Sequence, residues 1–154
     1  MSDLNRLFFK VISAFATLDA SSSAIPRILL SICTGALFVG TLGLFNDTKF
    51  CTSHWGVYSQ LQAANIKAAG GDEEEAARVL PARFVDAGLN GAEVRIISSG
   101  GISCGMDASL HVVKIRAEEL KGTGTGEKYA RETAELLDYA WRKTEGVVMD
   151  EDYA

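Results

Sequence analysis

The sequence predicts an α/β sandwich with a mainly parallel sheet, and three observations lead there. Strand-like apolar runs alternate with amphipathic helical runs along the chain. Within one uncharged stretch the pattern switches from strand to helix at Cys33. The 154 residues, 47% of them hydrophobic, make one domain with a real core and exclude disorder as a global description.

The first element is an amphipathic helix, with Leu4, Leu7, Phe8, Val11, Ile12, Phe15 and Leu18 at helical spacing. Lys10 breaks its apolar run and Asp3 spoils a basic flank, so a secretory signal is not expected. Residues 20–24 are a small-residue loop, and Pro26 opens a buried strand over 28–32. Leu37, Phe38, Leu42 and Phe45 then recur at helical spacing within 34–45. Residues 28–46 carry no charge over 19 positions, long enough to raise a membrane span. Ser31, Thr34, Thr41 and three glycines, with the change of pattern at Cys33, favour a strand joined to a helix instead.

Asn46-Asp47 marks a turn, 48–53 a second strand, and 57–69 a helix stopping at Gly70-Gly71. The acidic run 72–75 reads as the solvated start of a helix. Strands over 83–86 and 94–98 are joined by a loop containing Asn90-Gly91, a hairpin signal. A glycine-rich loop over 100–107 leads to a helix from about 108 to 119, followed by a flexible loop, 122–126. The last helix, 127–143, presents Tyr129, Ala130, Ala134, Leu137 and Trp141 to the core. One domain therefore spans 1–144, with an acidic tail over 145–154.

A formal net charge of -5 supplies no basic stripe for nucleic acid and no attraction to an anionic membrane. Three cysteines, at 33, 51 and 104, suggest no disulfide framework and fit a reducing compartment, the cytoplasm. No pair among these cysteines and the two histidines has ligand spacing, so neither a metal nor a cofactor is expected.

What remains is a thiol between a buried strand and a helix. A tight turn there projects Cys33 above the carboxyl edge of the sheet, where open α/β folds bind small molecules. The helix N-terminus favours the thiolate. Gly35 lets the backbone bend and approach a substrate, and the N–H of Thr34 is placed to stabilise a developing anion. The alternative is a buried structural cysteine, and spacing alone leaves both open.

The stretch SICTGALFVGTLGLFNDTKFCTSHW resembles the nucleophile elbow of the ThiJ/PfpI superfamily, relatives of class I glutamine amidotransferases. SSGGISCGMDASLHVV resembles the later strand–loop–helix signature of that superfamily, in the right order. The resemblance runs over about residues 20–143 and is strongest to isonitrile hydratases and the ligand-like domains of AraC-type regulators. It implies a three-layer, flavodoxin-like sandwich, incomplete at the N-terminus. It sets Cys33 on the reactive cysteine, Thr34 on the threonine that assists it, His54 on a T-H-W histidine and Asp107 on the G-I-D aspartate. With Gly35, Gly100 and Gly101 these residues are expected to surround a small-molecule substrate.

The implied activity is hydration of an isonitrile to an N-substituted formamide. The alternative is a non-catalytic thiol sensor or binding domain. His54 also reads as a hydrogen-bonded residue at a strand end, Asp107 as a helix cap, and His111 as a packing or surface residue. Cys51 and Cys104 read as small buried residues. In the resemblance, the acid facing the cysteine belongs to strand–helix units that the 32 residues before Cys33 do not match. Asp3 and Asp19 lie in the wrong contexts. The expectation is a sheet with an open edge, completed by a homodimer or a partner chain.

Overall fold

A computed structural model describes residues 3–18 and 25–142, and along them strands and helices build one mixed α/β unit. In chain order these are α1 (Asp3–Thr17), β1 (Arg27–Ile32), α2 (Ala36–Thr41), β2 (Phe50–Cys51) and α3 (Tyr58–Ala68). They continue with β3 (Arg78–Val79), β4 (Phe84–Leu89), β5 (Val94–Ser99), α4 (Ile102–Lys121) and α5 (Gly126–Leu136). The main sheet has the order β1-β5-β4. β1 runs parallel to β5, from Arg27 opposite Val94 to Ile32 opposite Ser99. β4 runs antiparallel to β5, with a shift of register between Asp86 and Leu89. β2 and β3 form a separate two-residue parallel pair. The architecture is mixed α/β with a small mixed sheet.

Two cores flank that sheet. On one face Phe45, Cys51, Leu61, Val94 and Ile96 pack with Ala16, Ala36 and Val39, and Leu29 of β1 reaches into this group. On the other face Phe84, Ile97 and Ala108 pack with Ile28, Leu30, Val112 and Ile115. Alternation along β1 divides its side chains between the two cores, as a strand with both faces covered requires. Each fully buried large chain, such as Phe45, contributes about 1.5–3 kcal/mol by leaving water.

Several elements depart from the expected boundaries, each for a local reason. The helix expected over 34–45 divides into a 3-10 turn, Cys33–Gly35, and α2. Gly43 then turns left-handed at φ 73 and ends it. The second strand shrinks to two residues because Thr48 and Lys49 both donate to the Phe45 carbonyl, extending the turn. The acidic run starts no helix. Asp72 Oδ1 accepts from the N–H groups of Glu74 and Glu75, closing an isolated turn before β3.

α4 begins at Ile102, inside the stretch expected to be a glycine-rich loop. Gly105 belongs there because a Cβ at that position would lie 2.7 Å from Ile32 Cγ2. α5 ends at Leu136, short of 143, where Asp138 turns left-handed at φ 49 and Tyr139 donates to the Ala134 carbonyl. Its buried face is Ala130 and Ala134, while Tyr129 and Leu137 are exposed. The loop over 20–24, Lys143 and the acidic tail lie outside the described residues. Among the described residues no helix is long and apolar enough to cross a membrane.

His111, on α4, packs its ring 5.1 Å from that of Phe84 and sets Nε2 2.7 Å from Asp86 Oδ2. Arg95 closes the cluster, its Nε 2.9 Å from both Asp86 carboxylate oxygens. Burial opposes charge on Asp86, but the His111 hydrogen bond and then the Arg95 pair outweigh it and hold the carboxyl at about 2. A carboxyl depressed in the folded state stabilises the fold above its unfolded value near 3.8, and that stability goes as pH falls through about 2. Acid unfolding followed by circular dichroism should therefore show a loss of about 1–2 kcal/mol in this window, absent in Asp86→Asn.

Candidate functional site

Cys33 has φ 57, in the left-handed region that costs a residue with a Cβ about 1–2 kcal/mol. Ile32 before it is extended, with φ -117 and ψ 133. Gly35 and Ala36 after it are right-handed helical. The chain thus passes from strand to helix through one strained residue. That is the turn the sequence placed at Cys33.

Neighbouring segments hold it there. The Cys33 N–H donates to the Gly100 carbonyl at 3.0 Å, and the Gly100 N–H donates to the Arg83 carbonyl at 2.9 Å. The Cys33 carbonyl accepts from Ser53 Oγ at 2.8 Å and from the Ala36 N–H. Ser53 is fully buried. Both backbone groups of residue 33 are therefore satisfied, and its half-buried side chain is left outside the ladder.

Gly35 plays a different part from the one expected. Its φ of -58 is ordinary helix, so the bend is made by Cys33 itself. A Cβ at Gly35 would meet nothing within 4 Å, which leaves open space beside the thiol's turn. Gly100 is a close-packing position, whereas Gly101 has room for a Cβ. A Cβ at Gly100 would lie 3.3 Å from Cys104 Sγ and 3.4 Å from the Ser53 carbonyl, and one at Gly101 3.7 Å from His54 Cδ2. α2 has six residues, too short for the helix dipole to lend Cys33 much.

Thr34 is exposed next to Cys33. His54 sits near the same loop, but its Nδ1 accepts from the Gly56 N–H at 3.1 Å and its ring lies 5.2 Å from that of Trp55. Rather than ending a strand, it caps the 3-10 turn Trp55–Val57, three residues past β2. Asp107 is neither a cap nor placed at the thiol: Gly101 holds the N-cap position of α4, and Asp107 is fully buried one turn on. Its Oδ2 accepts from Arg83 Nε at 2.7 Å, and its Oδ1 from the Tyr139 hydroxyl at 3.0 Å and the Arg142 N–H at 3.2 Å. This buried pair ties the residue leading into β4, α4 and the segment after α5 together. Among the described residues neither His54 nor Asp107 hydrogen-bonds the Cys33 thiol.

The remaining thiols separate. Cys51 is fully buried and accepts from Asn65 Nδ2 at 3.4 Å. Burial pushes its thiol up to about 12, with the Asn65 contact opposing only part of that. Cys104, expected to be buried, is half-buried and borders a cleft of about 30 Å³ with Ser53, Trp55 and Arg83.

An apolar groove of about 330 Å³ lies between α4 and α5, and the sequence analysis did not anticipate it. Ile32, directly before Cys33, forms part of its wall, with Ile102, Met106, Leu110, Val113 and Leu137. The spacing of Ile102, Met106, Leu110 and Val113 is a helical stripe, the one signal that pointed to it. Among the described residues no three His, Cys, Asp or Glu side chains are grouped to hold a metal ion.

No family model, curated protein or solved structure matches this chain. The site therefore rests on its own geometry.

Alkylation by iodoacetamide at pH 8, read by mass spectrometry of the three cysteine peptides, should modify Cys33 about tenfold or more faster than Cys51. Equal labelling in the folded protein would contradict the burial that separates them.

Proposed function

We propose that Cys33 is the nucleophile of a hydratase that converts an isonitrile to an N-substituted formamide. The reading joins the ThiJ/PfpI resemblance to one observation, the left-handed strand-to-helix turn that carries the thiol. It takes the fold as the three-layer, flavodoxin-like arrangement of that superfamily, working in the cytoplasm on a small molecule without a cofactor.

The chemistry balances with one thiol and one water. Sγ bonds to the terminal isonitrile carbon, and the proton lost from the thiol is returned to that carbon, giving a thioimidate. Water adds across the C=N bond. The tetrahedral adduct then breaks its C–S bond, releasing the formamide and the free thiol. The Thr34 N–H and hydroxyl are available to orient the adduct, and the groove beginning at Ile32 suits an alkyl or aryl substituent. Polar groups at its wall are few, Ser109 and Thr133 among them, so the substituent would be read by shape.

A second reading, a non-catalytic thiol domain, is favoured by the absence of any acid or base hydrogen-bonded to the thiol among the described residues. One experiment separates the two. The purified chain is incubated with an alkyl isonitrile and formamide is followed by NMR, beside Cys33→Ala. The hydratase reading expects turnover that falls about 1,000-fold or more in the variant. No turnover in either protein removes it. If peroxide then converts Cys33 to a sulfenic acid faster than Cys104, the thiol-domain reading stands in its place.

A further inference from the structure

The small cleft at the start of α4 holds donors that the thiol turn does not use. Arg83, only 8% exposed, lines it together with Trp55, which is 63% exposed. A buried cation and an exposed ring therefore share one opening, with Ser53, Gly101 and Cys104. Arg83 Nε donates to Asp107 Oδ2 at 2.7 Å, and Nη2 reaches the same oxygen and Ser103 Oγ. Nη1 has no partner among the described residues and is not sealed from solvent, so it opens on the cleft. The Cys104 thiol lies close enough to this guanidinium for their charges to interact. An arginine sunk this deep with one nitrogen unused is uncommon, because buried donors normally find acceptors.

A second set of donors is backbone. α4 runs for 20 residues from an N-cap at Gly101, and no side chain caps it. The N–H groups of Ile102, Ser103 and Cys104 have no acceptor among the described residues, and the first that is bonded belongs to Gly105, which donates to the Gly101 carbonyl at 3.0 Å. Free N–H groups at the positive end of a long helix favour an anion. Size then selects which anion. The cleft, about 30 Å³, has room for about two water-sized groups. That suits the two oxygens of a carboxylate and is too small for the four of a phosphate.

We propose that this cleft binds the carboxylate of a small organic acid, one oxygen on Arg83 Nη1 and the other on the N–H groups that open α4. The carboxylate supplies the cap that α4 lacks, and its hydrogen bonds are charge-assisted. The body of the acid leaves the cleft beside Trp55, whose exposed indole offers a flat apolar face. Cys104 shares the opening, so a bound acid shields its thiol. Cys33 does not line the cleft, and the proposal does not depend on the hydratase reading.

Titration of the full chain with benzoate at neutral pH, followed by amide NMR, tests it. The expected result is saturable shifts of the Ile102, Ser103 and Cys104 amides and of the Trp55 indole N–H, with a Kd on the order of 1 mM. At saturation iodoacetamide should label Cys104 about fivefold or more slowly, with Cys33 labelled at its usual rate. Benzamide, the same shape without the charge, and inorganic phosphate should each bind about tenfold or more weakly. Gly101→Asp sets a carboxylate of the chain on the same N–H groups, and the site accepts it: residue 101 is extended, and a Cβ there lies 3.7 Å from His54 Cδ2. That variant should fold at least as stably and weaken benzoate about tenfold or more, whereas Gly101→Ala should keep it. Arg83 is left in place, because its removal strands the buried Asp107 carboxylate. Should Gly101→Asp fail to fold, the benzamide and phosphate comparisons decide. No saturable shift by about 50 mM benzoate, equal binding of benzamide or phosphate, or undiminished binding by a folded Gly101→Asp would each overturn the proposal.

Discussion

The structure depends on a strained residue held by two distant segments. A left-handed Cys33 is unfavourable in isolation, and it persists because its N–H and carbonyl are fixed by groups far away in sequence. Gly100, at the end of β5, takes the N–H. Ser53, after β2, supplies a buried hydroxyl to the carbonyl. The turn can therefore form only when the sheet and the β2 loop are both in place. Gly100 keeps this meeting point tight, since a Cβ there would lie 3.3 Å from Cys104 Sγ and 3.4 Å from the Ser53 carbonyl. Strain of this kind is retained where surroundings over-determine it, and such positions cluster at functional sites.

The same scaffold sorts the three thiols without any change in their intrinsic chemistry. Cys51 is buried beneath α3 with its charged form strongly disfavoured. Cys104 faces a small cleft in the first turn of α4. Cys33 is half-buried on its turn, and its neighbour Ile32 lines the apolar groove. Position in the fold, rather than residue type, makes one of them the candidate nucleophile.

Legibility followed the range of the interactions concerned. The turn at Cys33 could be read because it is local: a β-branched apolar run stops, and helical spacing starts, within a few residues. The hairpin was legible for the same reason, with Asn90 Oδ1 accepting from the N–H groups of Ala92 and Val94. The other half of Asn90 was not legible, because its Nδ2 donates to the Ala16 carbonyl at the far end of the chain. The start of α4 was hidden by glycine and serine, residues that read as loop; Gly105 is in fact helical and clears Ile32. Asp107 was misjudged because its partners, Arg83 and Tyr139, lie in other elements, and no local pattern announces a buried ion pair. The groove escaped notice since it needs α5 laid against α4.

The central claim is that residue 33 makes a left-handed strand-to-helix turn, and the relative stability of two variants tests it most directly. In a helix interior alanine is more stable than glycine by about 1 kcal/mol, whereas at a left-handed position the order reverses by a similar amount. Chemical denaturation of Cys33→Gly and Cys33→Ala should therefore find the glycine variant the more stable by about 1 kcal/mol. An alanine variant equal to it or more stable would contradict the account.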